Sequence, residues 1–332
     1  MATMEDIAKK LCISKGTVSK ALSGAPDVSE TMRKTILETA VELGYQRGLR
    51  RDEAMRLCVF VENMDYRQRE DLGHDIILGF RKMAEPDGCA VSVQPLTAAL
   101  QAQCSFDAYM LEHRYAGALL LGLSLSDPWL AQLKGSRTPA VLYDNYVSAN
   151  PATAYVGVDN FEAMRLAVAH LQGLGHRRIG YLSGFLGSFI NQQRYDAFFQ
   201  ALRAHGLPHE ESLGGSSSYT AACLETCLPA LLAQGVTAIV CSHDLLAHAL
   251  MVHARERGLR VPEDLSVVGF DDLPLSAHTA PPMTTLRQDR LEIGRSAYHA
   301  LKSLQGGIPI STILLHARLV ERQSTAPPGL RP

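Results

Sequence analysis

A membrane-length apolar run is missing from this chain. Its hydrophobic residues make up 46% of the total, but no uninterrupted stretch approaches the roughly 20 needed to cross a bilayer. The first ten residues carry Glu5 and Asp6 and no apolar core of the kind an export signal requires, so a cytoplasmic protein without a membrane partner is expected. Cysteine is sparse and unpatterned. Of seven, only Cys223 and Cys227 stand close together, at helical spacing rather than in a C-x-x-C clamp, which predicts reduced thiols and no disulfide framework. The twelve histidines show no ligand spacing; His243, His248 and His253 advance by five residues, which turns them away from one another on a helix. Reaction motifs are absent as well: there is no P-loop, no H-E-x-x-H and no nucleophile elbow, and G-V-D-N-F-E at 157–162 is not a dinucleotide fingerprint. These absences give no support to an enzyme or a metalloprotein, and no cofactor is expected.

Neither sign of charge dominates, since 32 Lys and Arg face 34 Asp and Glu. The distribution is uneven. Residues 1–57 hold ten basic against eight acidic groups, leaving 22 against 26 for the remainder, so the N-terminal segment is the basic part. The 332 residues exceed one ordinary core and predict two or three folding units.

Three short helical patterns occupy residues 1–45. Thr3 precedes Glu5, Asp6 and the apolar Ile7, Ala8 and Leu11, an N-cap with acids in the first turn, where the helix dipole favours them. Cys12 and Ile13 make a tight connection. Ser14 caps a second pattern with Val18, Ala21 and Leu22 on one face and Lys15, Gly16, Ser19 and Lys20 on the other. Two helices across so short a turn are the helix-turn-helix signature. Ser29 caps a third, striped by Ile36, Ala40 and Leu43 and stopped by Gly44, placed to cover the other two.

Residues 46–56 turn polar, with Arg47, Arg50, Arg51 and Arg56 around Asp52 and Glu53, and read as a linker. Beyond it, apolar runs alternate with helical stretches. The strands are expected at Leu57–Val61, Val91–Gln94, Ala118–Leu121, Ala140–Tyr143, Ile179–Leu182, Ala238–Cys241 and Val267–Phe270, and helices at Asp75–Ala84, Phe161–Leu174 and Leu245–Arg257. That alternation predicts parallel sheets flanked by helices, and seven strands with a terminal return fit two doubly wound lobes, which take ligands at the carboxyl ends of their strands. Only Gly214–Ser218 and the tail Ala326–Pro332 look low in complexity.

These residues resemble the lactose-repressor (LacI/GalR) family over nearly the whole chain. The resemblance is carried by M-E-D-I-A-K-K-L-C-I-S-K-G-T-V-S-K-A-L-S and D-V-S-E-T-M-R-K-T-I-L-E-T-A-V-E-L-G-Y near the start. Further on come V-G-V-D-N at 156–160, L-G-H-R-R-I-G-Y-L-S-G at 174–184, V-P-E-D-L-S-V-V-G-F-D-D at 261–272 and P-P-M-T-T-L-R-Q at 281–288. It implies a small all-α helix-turn-helix headpiece, residues 1–45, that reads double-stranded operator DNA, then a shortened hinge at 46–56. The core, 57–325, would be periplasmic-binding-protein-like, with lobes at 57–160 plus 289–316 and 161–288 plus 317–325, and 326–332 as a tail. A homodimeric repressor is implied, controlled by a small polar effector, most simply a sugar, held between the lobes. An exported solute-binding protein with the same core is the rival reading.

In the family's pattern Lys15, Gly16 and Lys20 match positions that choose bases, and lysine can donate to guanine O6 and N7 in the major groove. Thr3, Thr17, Ser19, Ser29 and Arg33 match phosphate contacts, which set register without reading sequence; the linker arginines Arg47, Arg50 and Arg51 join them by charge. The competing reading is a solvated helix face with ordinary caps.

Sugar-sized ligands call for carboxylates and amides that exchange hydrogen bonds with hydroxyls, and for a guanidinium fork. Asp271, in G-F-D-D, and Arg194, in N-Q-Q-R-Y-D, match effector-binding positions. Asp144, His243, Tyr219 and Gln288 align with lobe-facing positions, and Asn63 or Asp65 could close the site from the end of the first strand. Against this, Asp144 and Asp271 could be strand-end turn residues, His243 and Asp244 could cap the helix that follows, and Tyr219 could be core. His243 stands where the family has a small polar residue, often asparagine, and could titrate near neutrality or serve as one more hydrogen-bonding group. The linker departs furthest. The family's hinge runs Y-x-P-N-x-x-A-x-x-L, whereas here Tyr45 is followed by neither proline nor asparagine and Ala54 aligns with the wedge leucine.

Overall fold

The computed structural model describes residues 2–45, 54–69, 71–216 and 221–329. The linker arginines Arg47, Arg50 and Arg51, and Tyr219, lie outside the described residues.

Three helices open the chain, α1 (Met4–Leu11), α2 (Lys15–Ser23) and α3 (Glu30–Glu42). Each begins where a short hydroxyl can replace a missing backbone partner. Thr3 Oγ1 accepts from the Asp6 amide and Asp6 accepts in turn from the Thr3 amide at 2.7 Å, a reciprocal capping box. Ser14 accepts from the Thr17 amide at 3.0 Å, and Ser29 from the Met32 amide at 3.3 Å. The inward stripes, Ile7 from α1, Val18 and Leu22 from α2 and Ile36 from α3, meet in one buried cluster.

From Arg56 the chain runs β1 (Arg56–Val61), α4 (Leu72–Ala84), β2 (Ala90–Pro95), α5 (Ala98–Gln103), α6 (Phe106–Glu112), β3 (Gly117–Leu121), α7 (Pro128–Leu133), β4 (Ala140–Tyr143) and β5 (Thr153–Val158). It continues through α8 (Asn160–Gly173), β6 (Ile179–Ser183), α9 (Phe189–Ala204), β7 (Gly214–Ser216), α10 (Ala221–Ala233), β8 (Ala238–Cys241), α11 (Asp244–Glu256), β9 (Ser266–Asp271) and β10 (Thr284–Arg287). Last come α12 (Arg290–Gln305), β11 (Thr312–Leu315) and β12 (Arg318–Val320).

Two six-stranded sheets result, ordered β11-β5-β4-β3-β1-β2 and β12-β10-β9-β8-β6-β7. From β2 to β5 and from β7 to β10 the neighbours are parallel, and β12 closes the second sheet antiparallel to β10. Helices on both faces bury the central strands completely, which is why those strands are continuous apolar runs without alternation. Gly214–Ser216, low in complexity to the eye, is an edge strand paired with β6. The start of the tail is pinned: the Ala326 carbonyl accepts from the Ser266 hydroxyl at 3.1 Å and lies 2.9 Å from His176 Nε2.

The chain divides into two compact units, Met1–Arg67 with Gly73–Val156 and Leu291–Ile313, and Gln68–Leu72 with Gly157–Arg290 and Leu314–Pro332. In the first, Phe60, Phe106 and Trp129 pack edge to face. Its α4 and α12 approach so closely that only hydrogen fits between them: a Cβ on Gly79 would stand 2.1 Å from the Leu291 carbonyl oxygen, and one on Gly294 1.9 Å from that of Ile76. The three N-terminal helices, an independent headpiece in the sequence reading, belong to this same unit, and α6 packs against α3 and α2. Among the described residues no helix is long and apolar enough to cross a membrane.

Candidate functional site

In the headpiece, α2 holds its apolar side inward and leaves Lys15, Gly16, Ser19 and Lys20 exposed, with Thr17 half-buried. Lys15 pairs with Glu5 at 2.6 Å, and Lys20 pairs with Asp27; both pairs are exposed and so contribute little to stability, leaving the ammonium groups available to another acceptor. A side chain on Gly16 would meet only the Ser14 hydroxyl, at 3.5 Å, so that edge of the helix admits close approach. Thr17 Oγ1 shares a hydrogen bond with Ser14 at 2.9 Å. Thr3 and Ser29 are occupied as caps, which keeps their hydroxyls at helix N-termini, where backbone N–H groups and dipoles favour phosphate. Arg33 is half-buried; its Nη2 donates to the Ala25 carbonyl at 2.6 Å.

The second unit gathers its polar groups at one sheet edge. β8, β9 and β10 run parallel, so Ser242 and His243, Asp271 and Asp272, and Gln288 leave the sheet side by side at the carboxyl ends of their strands, the edge where open α/β sheets receive ligands. Arg194, on α9 just beyond β6, reaches into this group and is 4% exposed. Its Nη1 donates to the Ser242 carbonyl at 2.6 Å, its Nε donates to Asn160 Oδ1 at 3.1 Å, and its plane lies 3.6 Å from the centre of the Phe270 ring. Its Nη1 is also 3.6 Å from an Asp271 carboxylate oxygen. Gln288 donates its amide N–H to the same carboxylate. Guanidinium, carboxylate and amide are thus held by one another and by backbone, in rotamers set before any ligand arrives.

Asp271 and Asp272 sit at φ 114° and 51°, backbone that non-glycine residues rarely adopt and that a strand-end turn concentrates at binding sites. The two diverge. Asp272 turns to Arg287 and to Arg322, whose Nη2 lies 2.7 Å away, while Asp271 faces Arg194. Burial pushes Asp271 above the ordinary carboxylate range, opposed first by the Arg194 charge and then by the Gln288 hydrogen bond. Below lies Asp244, fully buried. It accepts from the Leu273 amide at 2.8 Å, from the Ser276 hydroxyl at 2.6 Å and from the Thr285 hydroxyl. Burial, and then the neighbouring charge of Asp271, push Asp244 up to about 7. Gly269 makes room for it: a Cβ there would stand 2.2 Å from Asp244 Oδ1.

His243 both caps and lines. Its Nδ1 accepts from the Leu246 amide at 3.1 Å, which assigns the proton to Nε2. Burial, reinforced by the Arg194 charge, lowers its pKa to about 3. Titration near neutrality is therefore corrected: the group is a neutral imidazole across the physiological range.

In the first unit the strand-end residues are looser. Asn63, at φ 48°, donates to the Gly122 carbonyl at 3.2 Å and to the Ser124 hydroxyl at 3.3 Å, and Asp65 is exposed. Asp144 follows β4 at φ 57° and is half-buried. The structure therefore brings Arg194, His243, Asp271 and Gln288 together, and places Asn63, Asp65 and Asp144 in the other unit. Asn160 and Phe270 were not nominated from the sequence, and Asp244 was read there only as a helix cap; together they hold Arg194 and the Asp271 turn in place. The N-cap signal of Asp159-Asn160 and the second aspartate-bearing strand end were visible in the sequence, but not their partnership.

A model of bacterial regulatory proteins of the lacI family matches residues 3–48, and a model of the periplasmic binding protein-like domain matches residues 168–325. The chain is 30% identical over 334 residues to the HTH-type transcriptional repressor CytR of Escherichia coli strain K12, covering 98% of this chain and 96% of that one. It is 32% identical over 348 residues to the HTH-type transcriptional regulator MalR of Streptomyces coelicolor, covering 99% and 98%. A solved complex of the transcriptional regulator CelR with cellobiose superposes with a TM-score of 0.70 at 27% identity, over 98% of this chain and all of that one.

Proposed function

The chain belongs to the LacI family of DNA-binding transcriptional repressors and is not an enzyme, and from that premise we propose that a sugar-sized polar effector controls it. The observation that carries the proposal is the buried trio of Arg194, Asp271 and Gln288 at the carboxyl edge of the second sheet. A carboxylate, an amide and a charged donor in fixed positions exchange hydrogen bonds with vicinal hydroxyls, while Phe270 beneath the guanidinium keeps the group dry. The similarity to CelR, solved with cellobiose, supports the same ligand class. His243, held neutral, adds an Nε2 donor and no charge, which suits an uncharged ligand.

DNA recognition is assigned to α2, with Lys15 and Lys20 reading base edges and Thr3, Thr17, Ser19, Ser29 and Arg33 on phosphates. The linker arginines Arg47, Arg50 and Arg51 add nonspecific attraction. One headpiece makes few contacts, so tight specific binding calls for a homodimer on a near-palindromic site. The test joins two measurements. A thermal-shift screen of sugars, sugar phosphates and purines identifies the effector, because a ligand that binds only the folded state raises the midpoint. Gel retardation of duplexes from the protein's own upstream region then reads how that effector changes affinity. Asp271→Ala should abolish the effector response while leaving DNA affinity intact; an unchanged response would remove the second-sheet cluster from the site.

A further inference from the structure

The headpiece core does not close on itself. Ala108 of α6, in the first core unit, belongs to the same buried cluster as Ile7, Val18 and Ile36, and the half-buried Leu111 of α6 packs against it. Helix α6 is two-sided: Phe106, Tyr109 and Met110 face the core beneath the first sheet, while Ala108 and Leu111 face the headpiece. On the headpiece side α3 contributes Leu37 and the half-buried Val41 to this cluster, one and two turns beyond Arg33 on the same face. Both ends of that face are charged. Arg33 Nη1 is 4.0 Å from the Glu112 carboxylate. At the other end Arg137 lies over the end of α3, where a Cβ on Gly44 would stand 2.1 Å from its Nη1, a cation set against the negative pole of the helix.

Arg33 is the residue aligned with a phosphate contact, and here it is turned toward a carboxylate. Its Nε is buried without a hydrogen-bond partner among the described residues, so the docked arrangement serves the guanidinium incompletely. A phosphate arriving beside Arg33 would also meet the negative charge of Glu112. Lys15 and Lys20, on the reading face, stay exposed. Ten residues separate Tyr45 from Arg56, and the short tether keeps the headpiece near this surface at high effective concentration.

We propose that the headpiece has two competing seats, α6 of its own chain and the DNA backbone, and that Glu112 holds Arg33 in the place of a phosphate when DNA is absent. The inference rests on reading Arg33 as a phosphate contact. Because the docked state withholds a backbone contact and leaves the base-reading face open, it weakens binding to all sequences alike.

The test is titration of the full-length protein with an operator duplex and a scrambled duplex of equal length, each at several salt concentrations. Glu112→Gln, and separately Ala108→Glu, which places a charge in the headpiece contact without touching the Phe106 side of α6, should tighten both duplexes by a similar factor, about fivefold. Trypsin should release the headpiece from Ala108→Glu faster than from the parent. Arg33→Ala is the control for the premise: its failure to weaken binding would sink the phosphate reading, whatever α6 does. With that control passed, unchanged or weaker binding in both α6 variants overturns the competition. Tightening confined to the operator duplex also overturns it, since the device acts on a contact blind to sequence.

Discussion

Replacing Arg194 by methionine removes the charge at the centre of the second-sheet cluster while keeping the length of the side chain and much of its contact with Phe270. The parent guanidinium donates to Ser242 and Asn160 and faces Asp271. Removing one partner of a buried pair costs on the order of 3–5 kcal/mol when the other charge is left uncompensated, a large share of the 5–15 kcal/mol that typically holds a domain together. The stranded carboxylate has an escape, which is to take up a proton. In the parent, burial already raises Asp271 and Arg194 is the largest influence pulling it back, so the variant's folded pKa lies higher still above the unfolded value of about 3.9. A group raised in the folded state binds more protons folded than unfolded. Stability is therefore present at low pH and is lost as pH climbs from about 4 through the folded value, by up to about 1.4 kcal/mol per pH unit. The deficit of Arg194→Met against the parent should thus be small at pH 5 and large at pH 8, measured by urea unfolding at each pH. The double variant Arg194→Met with Asp271→Asn, which has no charge to strand, should lose that pH dependence and recover part of the stability. Equal deficits at pH 5 and pH 8, with no recovery in the double variant, would refute the pairing.

Lys15→Ala and Lys20→Ala should each cost about 1–3 kcal/mol in operator binding and relax base preference without lowering thermal stability, because their ion pairs are exposed; competition between operator and single-base variants reads this, and undiminished discrimination removes α2 from the major groove. Gly294→Ala sets two effects against each other: helix propensity favours alanine by about 1 kcal/mol, whereas a Cβ 1.9 Å from the Ile76 carbonyl forces two backbones apart at about 1–3 kcal/mol or more, so the unfolding midpoint should fall, and a rise would mean that α4 and α12 are not in contact there. Replacing Arg47, Arg50 and Arg51 with glutamine should flatten the salt dependence of DNA affinity, while Ala54→Leu and Met55→Ala change it little; a sharp operator bend abolished by Leu49→Ala or Met55→Ala would restore the wedging hinge that the sequence here departs from.

Local rules were enough to read much of this molecule from its residues. Thr3, Ser14 and Ser29 announce their helices because capping is settled within four residues, and the strands Ala140–Tyr143 and Ala238–Cys241 stand out because a strand buried on both faces must be apolar throughout. Other elements were silent for the same physical reason. The glycine- and serine-rich β7 and the edge strand β12 are held by pairing with β6 and β10 and carry no pattern of their own. Within the site, strand-end aspartates and Arg194 could be nominated from their neighbours in sequence, but their chemistry could not. Only the folded sheet sets Arg194 against Phe270 and Asp271, sinks Asp244 beneath them until burial raises its pKa, and encloses His243 until it stays neutral. Those values depend on desolvation and on charges brought from far along the chain: Asp271 acts on Asp244 from 27 positions away, and Arg194 on His243 and Asp271 from 49 and 77. The headpiece shows the same division: its three helices and exposed lysines are written in residues 1–45, whereas the turning of Arg33 toward Glu112 is decided by α6, a helix whose outward face means nothing until another helix is laid upon it.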